Sequence, residues 1–206
     1  MSNVPSLPEG YSPVPPGYLA AVVTYLEMHT APVHDVHEAE GDAHSLALEQ
    51  LGAAQLDRYR AVYRAVGTPW LWFSRLRLSD EQLRGILADE HVQAFAVRDG
   101  NRDVGLLELD FRTEGECELA FFGLVNDYVG RGAGRWLMRE AIARAWAEPV
   151  RRVHVHTCTL DHPQAVSFYM RAGFTPYARA VEVTPDPRLD GTLPREAGAY
   201  APVLEP

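Results

Sequence analysis

Apolar positions along this chain recur in two rhythms, one of period two and one near 3.6, and the switches between them outline the elements. Tyr18 to Met28 is dense in β-branched and aromatic residues and reads as a strand. His29 to Asp42 mixes histidine, Pro32 and acids and reads as a loop. In Gly52 to Val66 the residues Leu56, Tyr59, Val62, Tyr63 and Val66 fall at helical spacing, and Gly67-Thr68-Pro69 stops the helix. Ser79, with Gln82 three residues on, forms a capping box that opens a second helix ending near Asp89. Val92–Val97 and Val104–Phe111 flank a turn at Asp99-Gly100-Asn101 and predict a hairpin, with Glu116–Val125 as a third antiparallel strand. A helix over Arg135–Ala147, a strand over Arg152–Thr157, a helix around Tyr169 and a strand near Phe174–Val183 complete the order. Such an order suits crossover helices on one mixed sheet.

Composition narrows the class. The chain has 206 residues, 47% hydrophobic and 23% charged, which is ordinary for a soluble globular domain. Prolines before Tyr18 predict an extended arm over 1–17, and those after Thr184 a surface tail over 185–206, leaving 18–184 as the single domain. A net charge of −9 argues against nucleic acid or an anionic membrane as partner. The start has no signal-peptide pattern and no apolar run approaches bilayer length, so the expectation is a cytoplasmic protein. Cys117 and Cys158 both read as small buried thiols. His34, Asp35, His37 and Glu38 look like metal ligands only superficially, and no metal is expected.

The most informative stretch is Tyr-Val-Gly-Arg-Gly-Ala-Gly-Arg, from Tyr128 to Arg135. Closely spaced glycines between a strand and a helix let the backbone approach a ligand and aim N–H groups at one point, where the helix dipole adds positive potential. Arg131 and Arg135 add charge, so the turn suits a diphosphate. It is not a P-loop, because Arg135-Trp136 follows instead of Lys-Ser or Lys-Thr, and a dinucleotide fingerprint would need glycine at position 135. A nucleotide-dependent oxidoreductase is thereby disfavoured. Val129 to Gly134 instead resembles the acyl-CoA signature [Arg/Gln]-x-x-Gly-x-[Gly/Ala] of the GCN5-related N-acetyltransferase (GNAT) superfamily, with Val129 replacing the usual first residue.

A second segment supports the resemblance. Thr159 to Phe174 carries His162 where the superfamily commonly has Asn, then Ala165, Tyr169 and Gly173-Phe174. Asp161 or His162 can cap a helix whose first turn tolerates Pro163, and Gly173 ends it. The resemblance covers roughly residues 92–180. It implies an α/β (α+β) fold, a single domain with a central mixed, mostly antiparallel twisted sheet flanked by about four helices. It also implies acetyl-CoA as co-substrate and a small-molecule amine or protein amino group as acceptor, with a homodimer left open.

Residue roles follow from that likeness and from chemistry. Leu124, Val129, Gly130, Arg131, Gly132, Ala133, Gly134, Arg135, His162, Ala165 and Tyr169 are the expected cofactor contacts. Glycine inside a strand often marks a bulge, so pairing is expected to break near Gly123 and free the backbone around Leu124. Tyr169, a phenol of pKa about 10, can protonate a thiolate of pKa about 8.5, the general-acid role of its superfamily counterpart. Alternation places Glu116, Glu118, Ala120 and Phe122 on one face, and Glu118 is the preferred general base. Glu108, Asp110, His154 and His156 are its rivals. Trp70, Trp72 and Phe73 are either core or the wall of an acceptor pocket. The reading is an N-acyltransferase working by direct attack; the alternative is a CoA-binding sensor or interaction module without catalysis.

Overall fold

The computed structural model describes residues 7, 9–32 and 45–206. Its elements are β1 (Tyr18–Met28), β2 (Leu46–Leu51), α1 (Leu56–Gly67), α2 (Asp80–Ala88), β3 (Val92–Asp99), β4 (Arg102–Asp110), β5 (Glu116–Leu124), α3 (Ala133–Ala145), β6 (Arg152–Cys158), α4 (Ala165–Arg171) and β7 (Thr175–Pro185). The seven strands form one sheet in the order β2-β3-β4-β5-β6-β1-β7. Every pairing is antiparallel except β5 with β6. This is the mixed, mostly antiparallel sheet with four helices that the sequence predicts.

One strand goes beyond the expectation. The pattern does not announce β2: Leu46-Ala47-Leu48-Glu49-Gln50-Leu51 holds good helix formers and no β-branched residue, and pairing with β3 alone decides its state. The first strand, β1, lies between β6 and β7. Most of the segment predicted as the loop His29–Asp42, with His34, Asp35, His37 and Glu38, lies outside the described residues.

Side-chain alternation divides the interior. Ala94, Ala96 and Leu106 join Leu56, Tyr59, Val62, Tyr63 and Val66 of α1 and Leu83 and Leu87 of α2 in one core layer. Phe95, Val97, Leu107 and Leu109 face the other way, against Leu137, Met138 and Ala141 of α3 and Tyr169 of α4. Burying each large side chain of α1 contributes roughly 1.5–3 kcal/mol. The same helix also covers Glu108, which is fully buried and accepts hydrogen bonds from Tyr59 and from Arg75 at 2.5 Å. A buried ion pair contributes little net stability. The apolar stripe therefore docks α1, and Glu108 is tied up beneath it rather than open to a ligand.

The bulge in β5 sits at Ala120, not at Gly123: Glu108 pairs with Phe121 and Leu109 with Leu119. The extra residue shifts the alternation. Phe122 joins Cys117, Leu119 and Leu124 on the α3 side, whereas Phe121 packs on the α1 side with Tyr63 and Trp72. Glu118 and Phe122 therefore do not share a face. Gly123 serves packing instead, because a Cβ there would lie 2.5 Å from Val66 Cγ1. Gly105 has backbone among its close neighbours, with Leu124 Cδ2 at 2.6 Å and the Gly123 carbonyl oxygen at 2.7 Å from a Cβ. Gly105→Ala is expected to lower stability by roughly 1–3 kcal/mol through overpacking against backbone, read as a lower urea midpoint at unchanged m-value.

Candidate functional site

The parallel pair is short. Glu116 pairs with Arg152, Cys117 with Val153 and Glu118 with His154, and beyond them the strands part. The N–H of Val125 bonds Val104 O across to β4. Alternation then turns the N–H and C=O of Leu124 and Phe122 to the opposite edge, where β6 has moved away. Main chain near Leu124 thus has no strand partner on that side, by divergence of the neighbour rather than by a bulge at Gly123. A cavity of about 780 Å³ fills the fork and crosses the sheet.

One end of the cavity is the glycine turn. Gly130 and Gly132 have φ of +83° and +85°, values that favour glycine, and a Cβ at Gly130 would meet nothing within 4 Å. Helix α3 starts at Ala133, two residues earlier than expected, with Gly132 as N-cap and no side chain capping it. The N–H groups of Ala133, Gly134 and Arg135 thus lack acceptors within the helix, and with the helix dipole they present positive potential. Arg135 and Arg171 line this end, and among the described residues neither forms an ion pair. Val129, Gly130, Gly132, Gly134, Leu124, His162, Ala165 and Tyr169 also line the cavity; Arg131 and Ala133 do not. Arg131 is exposed, and Ala133 is buried in the core. The set of open amides, open space and free guanidinium groups fits a diphosphate.

Tyr169 stands between the two ends. Only 8% of it is exposed, and it packs edge-on against Phe122 and Phe174. Burial, and next the charge of Asp161, push its phenol well above the ordinary value. Tyr169 borders the cavity, and its hydroxyl makes no hydrogen bond among the described residues. A neutral, undischarged O–H donor faces the fork.

The far end lies on the α1 side. Trp70, Trp72 and Phe73 line it with Phe121, Arg75 and Arg112. Trp72 Nε1 donates to Asp161 at 3.1 Å, and Asp161 also accepts from the Thr157 hydroxyl at 2.7 Å and the Cys158 N–H at 2.9 Å. Asp161 thus secures the end of β6 and an aromatic wall instead of capping α4. His162 Nδ1 accepts from the Gln164 N–H at 3.1 Å, so it shapes the turn into α4 while its ring meets Trp70 at 5.2 Å. Two features were hidden from the sequence: the Asp161–Trp72 link, and Tyr200 reaching back to the Leu160 carbonyl. Both join segments far apart in the chain, which no local spacing reveals.

At the fork, Glu118 and His156 form an ion pair at 3.2 Å, and both line the cavity. The hydrogen bond from His156 holds Glu118 below the usual 4.5 although burial opposes it. The same bond raises His156 above 6.5, again against burial. His154 is different: burial lowers it, and it sits beside Glu116, off the cavity. Asp110 lines the cavity but is chelated by Arg112 at 3.0 Å. Burial pushes the thiols of Cys117 and Cys158 up to about 12 and about 11, which leaves neither as a thiolate near neutrality.

A sheet forked at its parallel pair, with a glycine turn and a helix start beside the fork, is the frame of the site. The chain belongs to the acetyltransferase (GNAT) family, whose pattern matches residues 59–174. Among solved structures it is similar to a functionally unknown conserved protein from Staphylococcus epidermidis (13% identity, TM-score 0.58), covering 82% of this chain and 64% of the other. A GCN5-related N-acetyltransferase from Sphaerobacter thermophilus shows 18% identity and TM-score 0.57 over 82% of this chain and 53% of its own. An aminoglycoside acetyltransferase from an uncultured soil metagenomic sample shows 17% identity and TM-score 0.55 over 67% and 93%. This chain thus spans less than two thirds of the first two relatives. No curated protein sequence is similar to it. Among the described residues no helix is long and apolar enough to cross a membrane.

Proposed function

We propose that this chain transfers an acetyl group from acetyl-CoA to a primary amine by direct attack, without a covalent enzyme intermediate. The observation that carries this reading is the fork, where the open backbone edge of β5 leads from the glycine turn to the Tyr169 hydroxyl. Amides at Gly130–Arg135 hold the diphosphate, with Arg135 and Arg171 beside them, and the main chain at Leu124 and Phe122 bonds the pantetheine arm. The co-substrate supplies a thioester carbonyl and a thiolate leaving group. As the amine nitrogen bonds the carbonyl carbon, the carbon–sulfur bond breaks and its electron pair leaves with sulfur. Tyr169 gives that sulfur its proton, and Glu118 takes the surplus amine proton through water. The raised thiols of Cys117 and Cys158 favour direct attack over acyl-enzyme formation.

Thermal shifts with CoA, acetyl-CoA, ATP and NAD test the cofactor, and stabilisation by NAD alone would overturn the reading. Amine-dependent thiol release then separates a transferase from a CoA-binding sensor: binding without turnover across a broad amine panel favours the sensor.

His156 gives the site a pH signature. Its protonated form clamps Glu118, so proton acceptance by Glu118 improves as pH rises through the raised His156 pKa. The kcat/KM profile is expected to show an inflection above 6.5 that His156→Gln removes, while Glu118→Gln lowers kcat about 100-fold. Stability follows the same pair. The His156 contribution is complete below 6.5 and lost as pH rises through its folded value. That of Glu118 is complete above 4.5 and lost as pH falls through its lowered one. The stability difference between the wild type and His156→Gln should therefore be greatest between 4.5 and 6.5. A difference that is flat with pH would dismiss the clamp.

A further inference from the structure

The far end of the cavity is apolar on its walls and nearly spent in its charges. Tyr63, Trp70, Trp72, Phe73 and Phe121 surround it. Tyr200, bonded to the Leu160 carbonyl with its ring 6.4 Å from Trp70, braces the outer wall. Five aromatic surfaces favour an apolar or aromatic body, and their π faces also tolerate a single cation.

The charges exclude more than they invite. Of the carboxylates there, Asp110 is chelated by Arg112, and Glu118 is paired with His156. Asp161 is saturated by Thr157, Cys158 and Trp72. Only Glu182 lines the cavity without a hydrogen bond or ion pair among the described residues. The cations are compensated too: Arg75 is ion-paired with fully buried Glu108 and lies 4.9 Å over the Phe121 ring, keeping only its buried Nε without a partner, and Arg112 is held by Asp110. A ligand with several ammonium groups would need several free carboxylates, and a zwitterion would need a free guanidinium. Breaking an existing pair to supply one leaves its partner uncompensated.

Resting on the transferase reading above, we infer that the acceptor is a small monoamine with an aromatic or branched apolar body, its ammonium the only formal charge. Polyamines, aminoglycosides and free amino acids are poor acceptors. Free peptides, which are zwitterions too, are poor acceptors for the same reason.

The test compares 2-phenylethylamine with spermidine, kanamycin, phenylalanine and the dipeptide Phe-Ala, by thiol release from acetyl-CoA and by tryptophan fluorescence titration of CoA-loaded and ligand-free protein. For 2-phenylethylamine, kcat/KM is expected to exceed each of the others by at least about tenfold, the effect of burying a phenyl group without unpaired charge. The titrations should give the same ranking. Trp70→Ala and Phe73→Ala should each raise the KM for 2-phenylethylamine about tenfold and leave that for acetyl-CoA unchanged. Any competitor that equals 2-phenylethylamine in rate or binding overturns the inference, and so does an unchanged KM in both variants. Loss of CoA binding with the amine ranking intact would instead sink the transferase reading alone.

Discussion

Tyr169→Phe should lower kcat by about 10- to 100-fold while the acetyl-CoA dissociation constant stays within about twofold. The effect belongs at the low end for general acids, because a thiolate is already a fair leaving group. Three features support the proposed role: the phenol is kept neutral by burial, Phe122 and Phe174 pack edge-on against it, and Tyr169 lines the cavity. Losing one hydroxyl from a ring that stays packed should leave the melting temperature nearly unchanged. Transient kinetics of thiol release at saturating acetyl-CoA would isolate the step. A wild-type rate in the variant would end the assignment.

Gly132→Val should weaken acetyl-CoA binding by at least about 100-fold, a loss of about 2.7 kcal/mol or more. Gly132 is the N-cap of α3 at φ +85°, where a β-branched side chain is strained and where the first amides of the helix must stay open. Gly134→Ala is the control. Its Cβ would meet Phe168 ring carbons at 3.8 Å, an ordinary contact, and its φ is not positive, so the turn should keep its shape. Calorimetric titration of both variants with CoA separates the turn geometry from a general intolerance of substitution. Equal affinities would show that the amides of this turn do not hold the ligand.

Much of this molecule is written in short windows of sequence, and the parts that are not share one cause. The capping box at Ser79–Gln82 forms as read, with both reciprocal hydrogen bonds present. The five apolar positions of α1 are all buried, and the turn after β3 carries Gly100 at positive φ. Each depends only on neighbours a few residues apart. The glycine string and the Tyr169 segment likewise announce a ligand-facing turn and helix, and the cavity brings them together. What stays hidden depends on distant partners. Ala120 bulges because of its match with β4, and nothing in Glu-Cys-Glu-Leu-Ala-Phe-Phe-Gly-Leu marks it over Gly123. Glu108 resembles any strand carboxylate until Tyr59 and Arg75 close over it. His156 is told from His154 only by which of them reaches the fork.

The proline-rich tail shows the same limit. Its turns pack Leu193 and Ala197 against Leu19 and Leu71, and Arg188 is buried with Asp186 at 2.6 Å while donating to the carbonyls of Ala197 and Ala201. Leu71 sits at φ +57°, and a Cβ on Gly198 would come within 2.5 Å of it. The loop bearing Trp70 and Trp72 is therefore held by residues more than a hundred positions away, and acceptor preference should respond to substitutions in the tail that never touch the acceptor.

Placement of β1 has a consequence for how the molecule is made. Val23 pairs with Cys158 on one side and with Ala180 on the other. As the polypeptide leaves the ribosome, this segment emerges with both hydrogen-bonding edges bare, and neither partner exists until more than a hundred further residues have been synthesised. Long-range closure of this kind is entropically slow, and an unpaired apolar strand in the meantime invites aggregation or chaperone capture. Leu19 and Ala21 of that strand border the cavity. The cleft closes only when this strand meets partners made more than a hundred residues after it.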